Sequence, residues 1–209
     1  KEHTFTLFEN LEIKALRDRA GALAGETVER AKPVKKSVAA VRLAQKEILA
    51  QIATYQGDIA ILASVDEIAI AFSEDQLYIT PRSSLKIKTD SSLIAFNGKE
   101  LLRTGVAQKV DFDVELAAYL LNPGSRDLDI EGIVRRHIGI EMETSSADLF
   151  TSDWDPHVVT HFFSLRRILE EELSKMELLK LFRDLELPIL HLLAARRQRA
   201  DARGLRRTG

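Results

Sequence analysis

Apolar positions change their period along this chain, and each change predicts an element. Val38, Val41, Ala44, Ile48 and Ile52 recur every three or four residues, the spacing of an amphipathic helix that Ser37 would cap and that ends before Gly57. From Asp58 the pattern switches to short apolar runs. Asp58 to Ala63, Val65 to Phe72 and Gln76 to Thr80 read as strands, with Ser73-Glu74-Asp75 as the turn of a hairpin. After Pro81 comes a polar interval that admits a helix, then a short buried strand from Ser92 to Phe96. Val110 and Phe112 alternate with Asp111 and Asp113, a half-buried strand pattern, and Asp113 is placed to cap the helix that follows. That helix would bury Leu116, Tyr119 and Leu120 before Asn122-Pro123-Gly124 stops it, because proline cannot continue the hydrogen-bond ladder.

Asp129 is the expected cap of a further helix through Ile133 and Val134 toward Gly139. Beyond Pro156 the pattern is helical: Val159, Phe162, Leu165, Leu169, Leu173, Met176, Leu179 and Phe182 keep one face apolar. Leu187-Pro188 interrupts this run, and Pro188 suits the first turn of a last helix. Nearer the start, Phe5, Phe8, Leu11, Ile13 and Leu16 form a short apolar set, while residues 21–37 read as a linker with no sustained apolar face. The succession of hairpin, helix and strand predicts an α/β domain with a mixed sheet over residues 37–185, preceded by a connecting segment and linker at 1–36. Residues 186–209 form a helical, arginine-rich C-terminal extension.

Composition narrows the function classes. With 209 residues, 45% hydrophobic and 30% charged, the chain is long enough to bury a core, and a formal net charge of −2 leaves no overall field drawing it to nucleic acid or acidic membranes. Any nucleic-acid contact must come from a local patch. The absence of cysteine excludes disulfides and thiolate metal sites and fits a reducing, cytoplasmic setting. No apolar run approaches the length that spans a bilayer.

Several constellations have spacings that can carry chemistry. Asp111, Asp113 and Glu115 have the spacing of metal ligands on one strand face, but a solvated strand end plus a helix cap is the commoner origin of such a trio. His157 and His161 lie at i and i+4, yet HVVTH lacks the glutamate of the metalloprotease motif and no cysteine completes a zinc site, so packing histidines are expected. There is no glycine-rich phosphate loop and no serine elbow. Trp154, the single tryptophan, is expected to anchor its loop to the core. The one basic patch is terminal: Arg196, Arg197, Arg199, Arg203, Arg206 and Arg207 against a lone Asp201, able to neutralise phosphates, although such runs are more often solvated tails.

Residues Val110 to Gly139 resemble the 3′→5′ exonuclease-type domain of family A DNA polymerases. The resemblance rests on Phe112-Asp113 opening a helix that carries Leu116 through Leu121, on the Asn122-Pro123 turn, and on Ile138-Gly139 at the end of the next helix. The Phe5 to Leu16 segment and Glu186 through Ala194 resemble the flanks of that domain, so the likeness extends over nearly the whole chain. It implies a ribonuclease H-like fold, a mixed sheet flanked by helices.

Active members of the group place two divalent metals, Mg²⁺ in the usual case, with four carboxylates. The first pair comes as Asp-x-Glu on the first strand, where this chain reads Ile59 to Ser64 with no carboxylate after Asp58. Leu101 falls where the next Asp is expected, with Glu100 one position away and turned about 100° off the site on a helix. The last motif should lie within Asp153 to His161, which does not supply it. The resemblance therefore implies a non-catalytic exonuclease-like domain, without catalytic, cofactor or metal residues, that acts as a scaffold for replication or repair synthesis and meets DNA through a parent polymerase. After Ala194 the chain departs from the family and lacks the polymerase region, as a fragment, a truncated product or a frame-shifted product would. A monomer is expected. The alternatives are an active Mg²⁺-dependent exonuclease, or a nucleic-acid-binding module that uses the arginine-rich end.

Overall fold

The computed structural model describes residues 38–125, 128–140 and 154–205, and the side chains up to residue 198. The expectations for Phe5 to Leu16, for the linker, for Ser37 and Asp153, and for Arg206 and Arg207 lie outside the described residues.

Six strands form one sheet in the order β1-β4-β3-β2-β5-β6. They are β1 (Ala40–Arg42), β2 (Asp58–Ala63), β3 (Glu67–Ser73), β4 (Gln76–Pro81), β5 (Ser92–Ala95) and β6 (Phe112–Asp113). β2, β3 and β4 are an antiparallel meander, while β5 and β6 run parallel to β2. Alternation along each strand splits its side chains between the two faces. Ala60, Leu62, Ala69, Ala71, Ile94 and Phe112 look into one core, and Ile59, Ile61, Ile68, Ile70 and Leu93 look into the other. A sheet apolar on both faces needs a helical layer on each, and the chain supplies both. On the first face lie α3 (Val114–Leu121), α4 (Ile130–His137), the 3₁₀ turn Pro156–His161 and α5 (Phe162–Lys175). On the second lie α1 (Gln45–Thr54) and α2 (Gly98–Arg103). This is the expected α/β, ribonuclease H-like architecture.

The helix expected from Ser37 is corrected. Val41 belongs to β1, which pairs in parallel with β4 and leaves it 47% exposed, and only Gln45–Thr54 is helical. Glu47 supplies the cap by accepting from the Ala44 backbone N–H at 3.1 Å. The interval after Pro81 is irregular rather than helical. It buries Leu85 and Ile87, and Ile87 bridges to Ala107. In α3 the buried positions are Val114, Ala117 and Ala118, while Tyr119 is 47% exposed and Leu116 and Leu120 are half-buried.

The C-terminal segment is one continuous rod: α6 (Leu179–Leu181), a π-helical turn at Phe182–Glu186, and α7 (Leu187–Leu205). Pro188 enters near the start of α7, and the wider π turn before it accommodates the missing N–H without ending the rod. Met176 is exposed because α5 ends at Lys175 and Glu177 turns left-handed, with φ +59°. Leu190 and Ala194 of α7 complete the second core beside Leu101 and Leu102 of α2.

Candidate functional site

Strand ends decide where chemistry can gather in an open α/β sheet, because side chains and loops converge where parallel strands finish. At the carboxyl ends of β2 and β5 there is a cavity of about 180 Å³. β2 presents Leu62 and Ala63, β5 leads into Phe96 and Asn97, and α2 presents Glu100 and Leu101. Ile130 and Glu131 come from the start of α4, and Trp154, Asp155 and Val158 from the 3₁₀ turn and its approach. The three segments that the sequence singled out for carboxylates thus meet here. They bring Leu62, Leu101 and Val158, all less than 10% exposed.

Three carboxylates also stand on the cavity wall, each from a different element. Glu100 receives both donors of Arg103, Nε at 2.8 Å and Nη2 at 2.9 Å, and this pairing holds its carboxyl below the usual range. It lines the cavity beside Leu101. Asp155 caps the 3₁₀ turn by accepting from the His157 backbone N–H at 2.9 Å. Glu131 lies in the first turn of α4. Arg82 enters the same cavity, donating to the Ser64 carbonyl at 2.6 Å and reaching Glu100 at 3.4 Å. A fixed guanidinium in so small a space repels a second cation. Among the described residues, no three carboxylate or histidine side chains converge as metal ligands do. The donor set of the described residues does not fit two divalent cations.

Trp154 packs on the first core, as expected, and its Nε1 is buried without a hydrogen-bond partner among the described residues. Asn97 adopts φ +53°, the left-handed region that asparagine tolerates, to turn the chain from β5 into α2.

Asp113 is 2% exposed and serves two helix starts at once. It accepts from the Leu116 backbone N–H at 3.0 Å, capping α3, and from the Gly98 N–H at 2.7 Å, fixing the start of α2. Burial pushes its carboxyl up to about 6, against the opposing pull of those two N–H groups. Position 98 must be glycine-sized, because a Cβ there would sit 2.8 Å from Asp113 Oδ2. Asp129 caps α4 as expected, accepting from Gly132 N–H at 2.6 Å. Asp111 turns elsewhere, accepting from Leu93 N–H at 2.8 Å and pairing with Lys109 at 3.3 Å. Asp113 and Glu115 border a second hollow of about 450 Å³ with Lys99, Tyr119, Ile189 and Leu193. The trio Asp111, Asp113 and Glu115 therefore divides among three tasks.

His157 is exposed and His161 half-buried, with its pKa lowered by burial. They sit on a 3₁₀ turn, where i and i+4 are about 120° apart rather than on one face. Of the arginines singled out, Arg196 and Arg197 are exposed on α7, and the Arg199 and Arg203 backbones continue it.

Neither a protein-family model nor a curated protein sequence matches the chain. Solved structures do. The POL domain of Pol1 from M. smegmatis, in complex with DNA primer-template and dNTP, shares 18% identity with a TM-score of 0.56 over 75% of this chain. The chain spans 31% of that structure's length. A nuclease in its apo form gives 12% identity and a TM-score of 0.59, covering 75% of this chain and 91% of its own. NrnC of Brucella melitensis gives 13% and 0.57, covering 79% and 93%, and has also been solved with bound Mg²⁺. At such identities the likeness shows the ribonuclease H-like, nuclease-type fold.

Among the described residues no helix is long and apolar enough to cross a membrane.

Proposed function

We propose that this chain is a non-catalytic 3′→5′ exonuclease-like domain of the family A DNA polymerase type, a cytoplasmic scaffold for replication or repair synthesis that meets DNA through the polymerase it accompanies. The observation that carries this reading is the cavity wall. Leu62, Leu101 and Val158 line the cavity, with Leu101 where the resemblance expects an Asp, and Arg82 holds a positive charge beside them. A phosphodiester is cleaved in this kind of site by cations that activate water and steady the leaving oxygen. Of the three carboxylates on the wall, Glu100 is held by Arg103 and Asp155 by a backbone cap, so with Arg82 beside them the described residues offer neither ion a full shell of free oxygen ligands. The polymerase context rests on the Val110 to Gly139 pattern and on the likeness to the Pol1 structure.

One experiment tests the non-catalytic reading directly. The folded chain, incubated with a 3′-labelled single-stranded oligonucleotide and Mg²⁺ or Mn²⁺, is expected to release no nucleotides above a chelated control. Metal-dependent release would overturn the reading and favour an active exonuclease built on Glu100, Glu131 and Asp155, the three carboxylates that the cavity does hold. A nucleic-acid-binding role for the arginine-rich end is supported by the exposure of Arg196 and Arg197. That role predicts affinity for single strands that falls steeply with salt.

A further inference from the structure

Helix α7 is apolar on two opposite sides. Leu187, Leu190 and Ala194 pack inward. The other side exposes Leu185 of the preceding π turn at 50%, Ile189 at 39%, Leu192 at 64% and Leu193 at 49%, with Ile189 and Leu193 also forming the edge of the 450 Å³ hollow beside Tyr119. At about 100° per residue, Ile189, Leu192 and Leu193 share an arc about 100° wide. A helix with apolar stripes on both sides is one that packs on both sides.

The charges beside the outer stripe select its occupant. Asp184 and Glu186 flank the stripe at the N-terminal end of the rod, and Arg196 and Arg197 follow it at the C-terminal end. We propose that this face pairs with the same face of a second copy of the chain, antiparallel, about a two-fold axis passing between Leu190 and His191. That register brings Ile189 level with Leu192 of the second copy. It also sets Arg196 level with Leu185, between Asp184 and Glu186, at both ends of the pair. The surface is thereby self-complementary in shape and charge, as an isologous two-fold contact requires. A parallel pairing would instead face arginine with arginine and acid with acid. The pairing replaces the monomer expected from the sequence. It is independent of the cavity, since α7 does not line it.

A pair of helices sits at the small end of specific interfaces, so a dissociation constant of the order of 10 µM is expected. Sedimentation velocity of the full chain across a concentration series from about 1 to about 200 µM reads it out. The wild type should move from one chain to two, and Leu192→Glu should remain single with unchanged circular dichroism. Arg196→Glu should weaken pairing at least about tenfold by facing acid with acid. Adding Asp184→Arg and Glu186→Arg to that variant should restore it, an outcome that parallel pairing does not give. A wild type that stays monomeric throughout would overturn the proposal and leave the stripe to a different protein surface. So would a dimer that is indifferent to Leu192→Glu.

Discussion

Two corners of this sheet lie one helix apart and treat acidic side chains in opposite ways. At the end of β6, Asp113 is buried and kept because two helix starts donate to it. At the ends of β2 and β5, Leu62, Leu101 and Val158 face the cavity, and two of the three carboxylates on its wall, Glu100 and Asp155, are committed to Arg103 and to a backbone cap. The difference teaches what the fold itself demands. A buried backbone N–H must find an acceptor, so the corner at Asp113 requires a carboxyl for stability alone. Nothing in the backbone requires an acid at 62, 101 or 158, where apolar side chains join the core and stabilise it. Carboxylates there would be justified only by metal ions.

The largest effect should come from placing an acid in the apolar corner. Leu101 is 1% exposed, so Leu101→Asp buries an unpaired carboxylate and should cost about 3 to 5 kcal/mol, read as a lost or strongly lowered thermal transition. If millimolar Mg²⁺ raised that transition, the corner would be closer to a metal site than this account allows.

Next is Asp113→Ala, which leaves the Gly98 and Leu116 N–H groups without their acceptor and should cost about 2 kcal/mol in urea unfolding. Gly98→Ala should act on the same joint, since its methyl group would press on Asp113 Oδ2. An unchanged midpoint in both variants would dissolve the contrast between the corners.

The pH dependence sharpens it further. Burial raises Asp113 in the folded chain to about 6 from 3.8, so the folded state holds this proton more tightly than the unfolded one. Its contribution is full below 3.8 and is lost as pH rises through about 6, a change of about 3 kcal/mol. The difference in stability between wild type and Asp113→Asn should therefore shift between pH 4 and pH 7.5, in the direction of a less stable wild type at the higher pH. Urea midpoints across that range check it. The smallest expected effect is Arg103→Ala. Its bidentate bond to Glu100 is partly exposed, so the loss should stay under about 1 kcal/mol, with the Glu100 carboxyl rising toward its ordinary range in an NMR titration.

Local devices were legible in the sequence. Asp113 and Asp129 announce helix starts, the β3–β4 hairpin shows as two apolar runs around a charged turn, and the leucines of α5 keep their period. What was not legible depends on partners distant in the chain. The Val38 and Val41 spacing suits a helix, but Val41 pairs with Tyr78, 37 positions along the chain, and becomes strand. Tyr119 reads as core, but the buried face of α3 runs through Val114, Ala117 and Ala118 and leaves Tyr119 exposed. The cavity is assembled from β2, β5, α2, α4 and the 3₁₀ turn, so the family resemblance could imply an absent Asp at Leu101 but not that Glu100, Glu131 and Asp155 would share its wall.

The central claim is that the corner at the ends of β2 and β5 does not gather divalent cations. Calorimetric titration of the folded chain with Mn²⁺ tests this without reference to any substrate. The account predicts no saturable binding up to millimolar metal. Saturable uptake of one or two ions per chain, lost in Glu131→Gln or Asp155→Asn, would contradict it.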